Sequence, residues 1–164
     1  MRAYFFGNMY ISSIGQGIQA GHVLAELFVK YQQHSAWAVV TIPTQHLYDW
    51  AHNHKTMILL NGGYSEALRS ISELFAAKEN PYPWSVFHEG QDALDGALTC
   101  VGIILPEKIY GAGVELVTKI KSGDPSATLG GQWQQNIKRE LYELNLSPYE
   151  QALCEEISKY GLAR

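Results

Sequence analysis

Residues 98–106, LTCVGIILP, form one of the longest apolar runs in the chain, and that run limits what the chain can become. It is far shorter than the roughly 20 residues that cross a bilayer as a helix. Pro106 halts it, so the pattern predicts a strand rather than a membrane segment. Three more stretches have strand character. Residues 2–10, RAYFFGNMY, are aromatic and fill consecutive positions with apolar groups, as a strand buried on both faces does. KTMILLNGG is a strand closed by a glycine turn, and WSVFHE is a third. Residues 36–42, AWAVVTI, read as a further strand or a buried connector ended by Pro43. Between these runs the apolar period lengthens to that of a helix. Ser65 precedes EALRSISELFAAKEN, in which Ala67, Leu68, Ile71, Leu74 and Phe75 share one face before Asn80 and Pro81 end it. From Gln16 to about Tyr31, Ile18, His22, Ala25 and Val29 recur at steps of three or four, with Leu24, Leu27, Phe28 and Tyr31 widening the stripe. TQHLYDWAHNH reads as a short helix. Strands alternating with helices predict an α/β domain with a mixed sheet, antiparallel at the edge where the last two strands follow closely.

With 164 residues, 46% hydrophobic and 17% charged, the chain can bury one core and fits a soluble domain. The expected division is an α/β domain over 1–110 and a helical extension over 111–164, packed on the same domain or on a partner subunit. In that extension Val114 to Lys121 reads as a short helix, SGDPSATLGG as a loop, and QWQQNIKRELYELN as a helix with Trp133, Ile137, Leu141 and Leu144 on one stripe. Ser147, Pro148 and Glu150 then form an S-x-x-E capping box opening a last helix, with Gly161 placed to end it. A homodimer or higher homo-oligomer is expected, in the cytoplasm. Cys100 and Cys154 are too few and too dispersed for a disulfide framework and read as buried thiols.

Net charge is -4. Residues 64–106 carry six acids against Arg69 and Lys78, and the bases after residue 107 are interleaved with acids. No segment forms the basic stripe that follows a phosphate backbone, so extended nucleic acid is expected to be a poor partner, while one small nucleotide could still bind at a local site. His46, His52 and His54 lie close in sequence but lack the cysteines and the fourth ligand usual in structural zinc sites, so no metal and no cofactor is expected. The G-x-G of YGAGVEL lacks the third glycine and ribose-binding acid of a dinucleotide loop.

The stretch with most chemical character is SSIGQGIQAGHVLAEL, from Ser12. Gly15 and Gly17 at the mouth of a helix predict bare backbone amides, a ready anion site. Gln16, Gln19 and His22 follow, His22 on the apolar face, where a core histidine is the plainer reading. Glu89 and Gly90 end a strand and open a polar loop. Trp84, Tyr64 and Trp37 are aromatic surfaces on which a base could stack.

In their order and spacing these residues resemble the class II, archaeal and eukaryotic type of peptidyl-tRNA hydrolase and its small bacterial and phage cousins, over about residues 2–108. Gln19 and His22 match the family's glutamine and histidine, Glu89-Gly90 its acidic loop, and Pro106 the proline closing its last strand. The resemblance implies a four-stranded mixed sheet with helices on both faces, and an ester-hydrolysing site with Glu89 as base and His22 as its partner. Where the family has two lysines this chain has Ser13 and Gly15. Ala20 replaces its cysteine, and the arginine and threonine after its aspartate are missing from GQDALDG. Hydrolysis of such an ester needs a base beside the water and a positive or donor group at the oxyanion. The expected function is therefore a non-catalytic binding protein. It would hold a small nucleotide-like or anionic ligand through Gly15, Gln16, Gly17, Gln19, His22, Glu89, Gly90 and Trp84, as a phage protein sequestering a host signalling nucleotide does. The alternative is a peptidyl-tRNA hydrolase with a rearranged site.

Overall fold

The strand-forming runs assemble into one sheet around the two central runs, which bury apolar side chains on both of their surfaces. The structure, a computed structural model, describes residues 1–32, 40–122, 139–140 and 142–163. Its strands are β1 (Arg2–Gly7), β2 (Met57–Asn61), β3 (Trp84–His88) and β4 (Leu98–Leu105). Their order is β2-β1-β4-β3. β1 runs parallel to β2, with Phe5 beside Leu59, and antiparallel to β4, with Phe5 opposite Gly102. β3 and β4 are antiparallel. This is the α/β architecture with a mixed sheet that the alternating periods predict.

Successive side chains of a strand point to opposite faces, and the two central strands use this fully. On one face Ala3, Phe5, Cys100 and Ile104 meet Ala20, Val23 and Leu27 of α1 (Ser13–Lys30) and Leu47 and Trp50, which belong to α2 (Ile42–Asp49) and the π-helical turn Trp50–His54 that follows it. Contact is close at Gly102, where a Cβ would stand 2.7 Å from Val23 Cγ1 and 2.8 Å from Phe5 Cδ1. On the other face the ring of Phe6 meets Phe75 of α3 (Ser65–Phe75) edge-on at 5.8 Å, and Leu68 and Ile71 of the same helix are fully buried.

Two expectations change. The first helix begins at Ser13 rather than near Gln16, because the Ser12 hydroxyl accepts from the Gly15 amide at 3.2 Å and caps it. Its buried residues are Gln16, Gln19, Ala20, Val23 and Leu27, so the apolar stripe through Ile18 and Val29 faces outward, with those two residues 56% and 62% exposed. The segment 36–42 falls mostly outside the described residues. Its end is helical rather than extended, since the Thr41 side chain caps α2 and Pro43 sits in the first turn, where its missing N–H costs nothing.

The described chain groups into two compact units, Met1–Leu105 with Tyr160–Arg164, and Pro106–Lys159. In the first, residues 161–163 return beside β2: Asn61 donates to the Gly161 carbonyl and Ala163 to that of Leu59, both at 3.0 Å. In the second, a π-helical turn over Ile109–Gly113, holding both glycines of the G-x-G, leads into α5 (Val114–Ser122). α6 (Pro148–Ile157) opens on the expected capping box, both hydrogen bonds present, and Lys108 pairs with the buried Glu150 at 2.6 Å. Ser122, expected to open the loop SGDPSATLGG, is instead the last residue of α5, and the rest of that loop and most of QWQQNIKRELYELN, including Trp133, Ile137 and Leu141, lie outside the described residues.

Candidate functional site

Polar groups enter the core of the first unit on the α1 face. Gln16 and Gln19, one helical turn apart, are both buried. Gln16 donates Nε2 to the Ile11 carbonyl at 2.9 Å, and its Oε1 lies against the backbone of Gly7, where a Cβ would stand 2.9 Å away. Gly7 therefore makes room for this side chain.

Gln19 is held at both ends. Its Nε2 donates to Glu89 Oε1 at 2.6 Å, and its Oε1 accepts from Thr99 Oγ1 at 3.1 Å. Thr99 lies 3.2 Å from the Phe87 carbonyl as well, so one hydroxyl proton serves two acceptors. It reaches α1 because of an irregularity in the sheet. Phe87 pairs with Cys100 but His88 pairs with Leu98, which leaves Thr99 as the extra residue of a β-bulge. A bulge re-aims a side chain that strict alternation would send to the other face. The amide orientation of Gln19 follows: reversed, it would set its oxygen against the Glu89 carboxylate.

Glu89 follows β3 directly, its amide bonded to the Ala97 carbonyl at 3.0 Å. It is partly buried, and no Lys, Arg or His pairs with it among the described residues. One turn after Gln19, His22 is exposed and lies flat on Phe87, with ring centroids 4.4 Å apart and planes 15° apart. The structure thus brings Gln19, His22 and Glu89 together around Phe87 and Thr99. His22 is not a core histidine, because the helix turns its 16/19/23 side inward and leaves residue 22 at the margin.

The other sequence candidates fare differently. Gly15 and Gly17 lie within α1 rather than in a bare turn ahead of it, and the Gly15 amide is spent on the Ser12 cap. A Cβ on Gly15 would stand 2.4 Å from Ile11 Cγ2, so this glycine serves packing. The first-turn amides left without an intrahelical acceptor are those of Ser13 and Ile14. Gly90 is exposed and precedes α4 (Gln91–Leu94) as its cap. Trp84 is at the far end of β3, about 16 Å of strand from Glu89. Lys30 Nζ sits 3.9 Å over its ring, and burial lowers the pKa of that lysine. Tyr64 packs on Tyr10 at 4.7 Å. Trp37 lies outside the described residues.

Sequence reasoning missed Ser12, Phe87 and Thr99. Ser12 was legible as a helix cap, and Thr99 as a hydroxyl inside an otherwise apolar strand. Cys100 supplies no nucleophile beside them, since burial pushes its thiol up to about 12. No group of three His, Cys, Asp or Glu side chains suited to a metal comes together among the described residues. No helix among the described residues is long and apolar enough to cross a membrane. The chain matches no protein-family model, and no curated protein sequence matches it.

Proposed function

We propose that this chain holds a small nucleotide-like, anionic ligand on a fold of the class II peptidyl-tRNA hydrolase type without turning it over, and so acts by sequestration. The observation carrying the reading is the contact between Glu89 and the amide of Gln19 at 2.6 Å. The carboxylate is fixed by a neutral donor. Ester cleavage would need a cation or a donor reserved for the developing oxyanion, and losing one such group costs about 10² to 10³ in rate. As a fixed acceptor, Glu89 is suited to the amino or hydroxyl hydrogens of a base or ribose. Ser13 and Ile14 offer their amides to a phosphate at the positive end of α1, about 9 Å along the axis from Gln19. The His22–Phe87 stack lies one turn beyond Gln19, on the side away from those amides, and borders the Glu89 end of the site as an aromatic surface. A mononucleotide spans that distance.

The test is a thermal-shift and calorimetric panel of mononucleotides and cyclic dinucleotides. A true ligand at 100 times its Kd adds about 2.7 kcal/mol of stability, and Glu89→Gln or Gln19→Leu abolishes the shift. Deacylation of a peptidyl-tRNA that is lost in Glu89→Gln overturns the proposal in favour of an enzyme.

A further inference from the structure

A second recess lies on the opposite face of the sheet. Between α3 and β3 is an open cleft of about 580 Å³, a size usual for ligand sites. α3 lines it with Arg69 and Glu73, one turn apart, and β3 with Val86 and His88, while Asp95 stands at the rim. Opposite charges at this spacing on a helix commonly pair. Here they do not: neither the Arg69 guanidinium nor the Glu73 carboxylate has a partner among the described residues.

Charge narrows the occupant. A polyanion would meet Glu73 and Asp95, and a simple cation would meet Arg69. A ligand carrying one group of each sign satisfies both. His88 adds an acceptor, because its Nδ1 lies 3.0 Å from the Gly96 carbonyl and must carry the proton there, which leaves Nε2 of the neutral ring free to accept.

Spacing narrows it further. Four residues of helix rise about 6 Å, and an extended chain of two residues covers about 6.6 Å. The backbone of β3 supplies the third constraint. β3 is an outer strand, and Ile104 donates to the Pro83 carbonyl. In an antiparallel ladder, Ser85 and Phe87 then turn their N–H and C=O toward β4, while Trp84 and Val86 turn theirs away. Those of Trp84 are occupied by Tyr31 and Lys30. Those of Val86 face the open edge, where a peptide bond can pair with them as an added strand does.

We propose that this cleft binds a zwitterionic dipeptide, with Arg69 taking the carboxylate, Glu73 the ammonium and Val86 the peptide bond. The site shares no residue with the Gln19–Glu89 group, and either proposal can fail alone.

The test is titration of the isotope-labelled protein with Leu-Leu, its C-terminal amide and its N-acetyl form, followed through the Val86 amide and the Trp84 indole. The free dipeptide should bind, and each blocked form should bind about tenfold more weakly, the loss of one charge-assisted contact. Arg69→Gln should remove the penalty for amidation alone, and Glu73→Gln that for acetylation alone. Both residues are exposed, and unchanged thermal midpoints would show that the variants fold. The proposal is overturned if all three compounds bind alike, if none shifts the two probes, or if the penalties persist in the variants. Displacement of the dipeptide by inorganic phosphate in an Arg69-dependent manner would overturn it too, by making the cleft a plain anion site.

Discussion

The two faces of the sheet are built by different rules. Beneath α3, the rings of Phe6 and Phe75 and the side chains of Leu68 and Ile71 form an apolar layer, with the buried Asn8 bonded to Ser65 at the start of the helix. Beneath α1, Gln16, Gln19 and Thr99 are buried among apolar neighbours, and the sheet itself bulges to bring one of them in. Buried polar groups cost stability unless satisfied; Gln19, Thr99 and Glu89 satisfy one another as a linked set, whereas Gln16 bonds separately to Ile11 and its Oε1 has no hydrogen-bond partner. Both faces hold the unit together, and the α1 face also positions Glu89.

The largest expected effect breaks this contrast if it fails. Phe75→Ala removes a fully buried ring and should cost about 3–5 kcal/mol in urea unfolding; a loss below about 1 kcal/mol would mean that α3 does not anchor the unit. Thr99→Val keeps the shape but withdraws the donor to Gln19 Oε1, and should cost about 1–3 kcal/mol. Adding Gln19→Leu should return part of that loss, because the stranded acceptor goes with it, and strict additivity of the two changes would show that they do not form one network. Glu89→Gln should change stability by only about 0.5 kcal/mol while abolishing nucleotide-dependent stabilisation. An equal loss of both would make Glu89 structural.

The smallest effect concerns Cys100, in the core under α1. Burial raises its thiol from the ordinary 9.0 to about 12. Below pH 9 the thiol is protonated in both folded and unfolded chain and its contribution to stability is fully present. It is lost as pH rises from that value through the folded one. At pH 8 a thiol reagent should label Cys100 only after unfolding, and labelling of the folded protein would show that the α1 face opens.

The same contrast decides what could be read from the sequence. In α3 the apolar residues are the buried ones, so periodicity named Leu68, Ile71 and Phe75 correctly. In α1 periodicity chose Ile18 and Val29 over Gln16 and Gln19, because hydrophobicity cannot rank a glutamine above an isoleucine for burial when the reason is a distant partner. Glu89 lies 70 positions from Gln19 and Thr99 lies 80. Gln19 and His22 were legible in the glycine-flanked stretch that opens α1, and the family resemblance joined Glu89 to them, whereas the bulge that recruits Thr99 leaves no periodic trace. The glycines were read as conformational devices; Gly15 instead accommodates a neighbour, Ile11, four residues back.

Residues 161–163, lying along β2, act as a stopper on that rim of the sheet. Among the described residues, molecules that joined through strand pairing would have the β3 rim alone to offer, so growth along the described sheet ends at two copies rather than extending into a fibril.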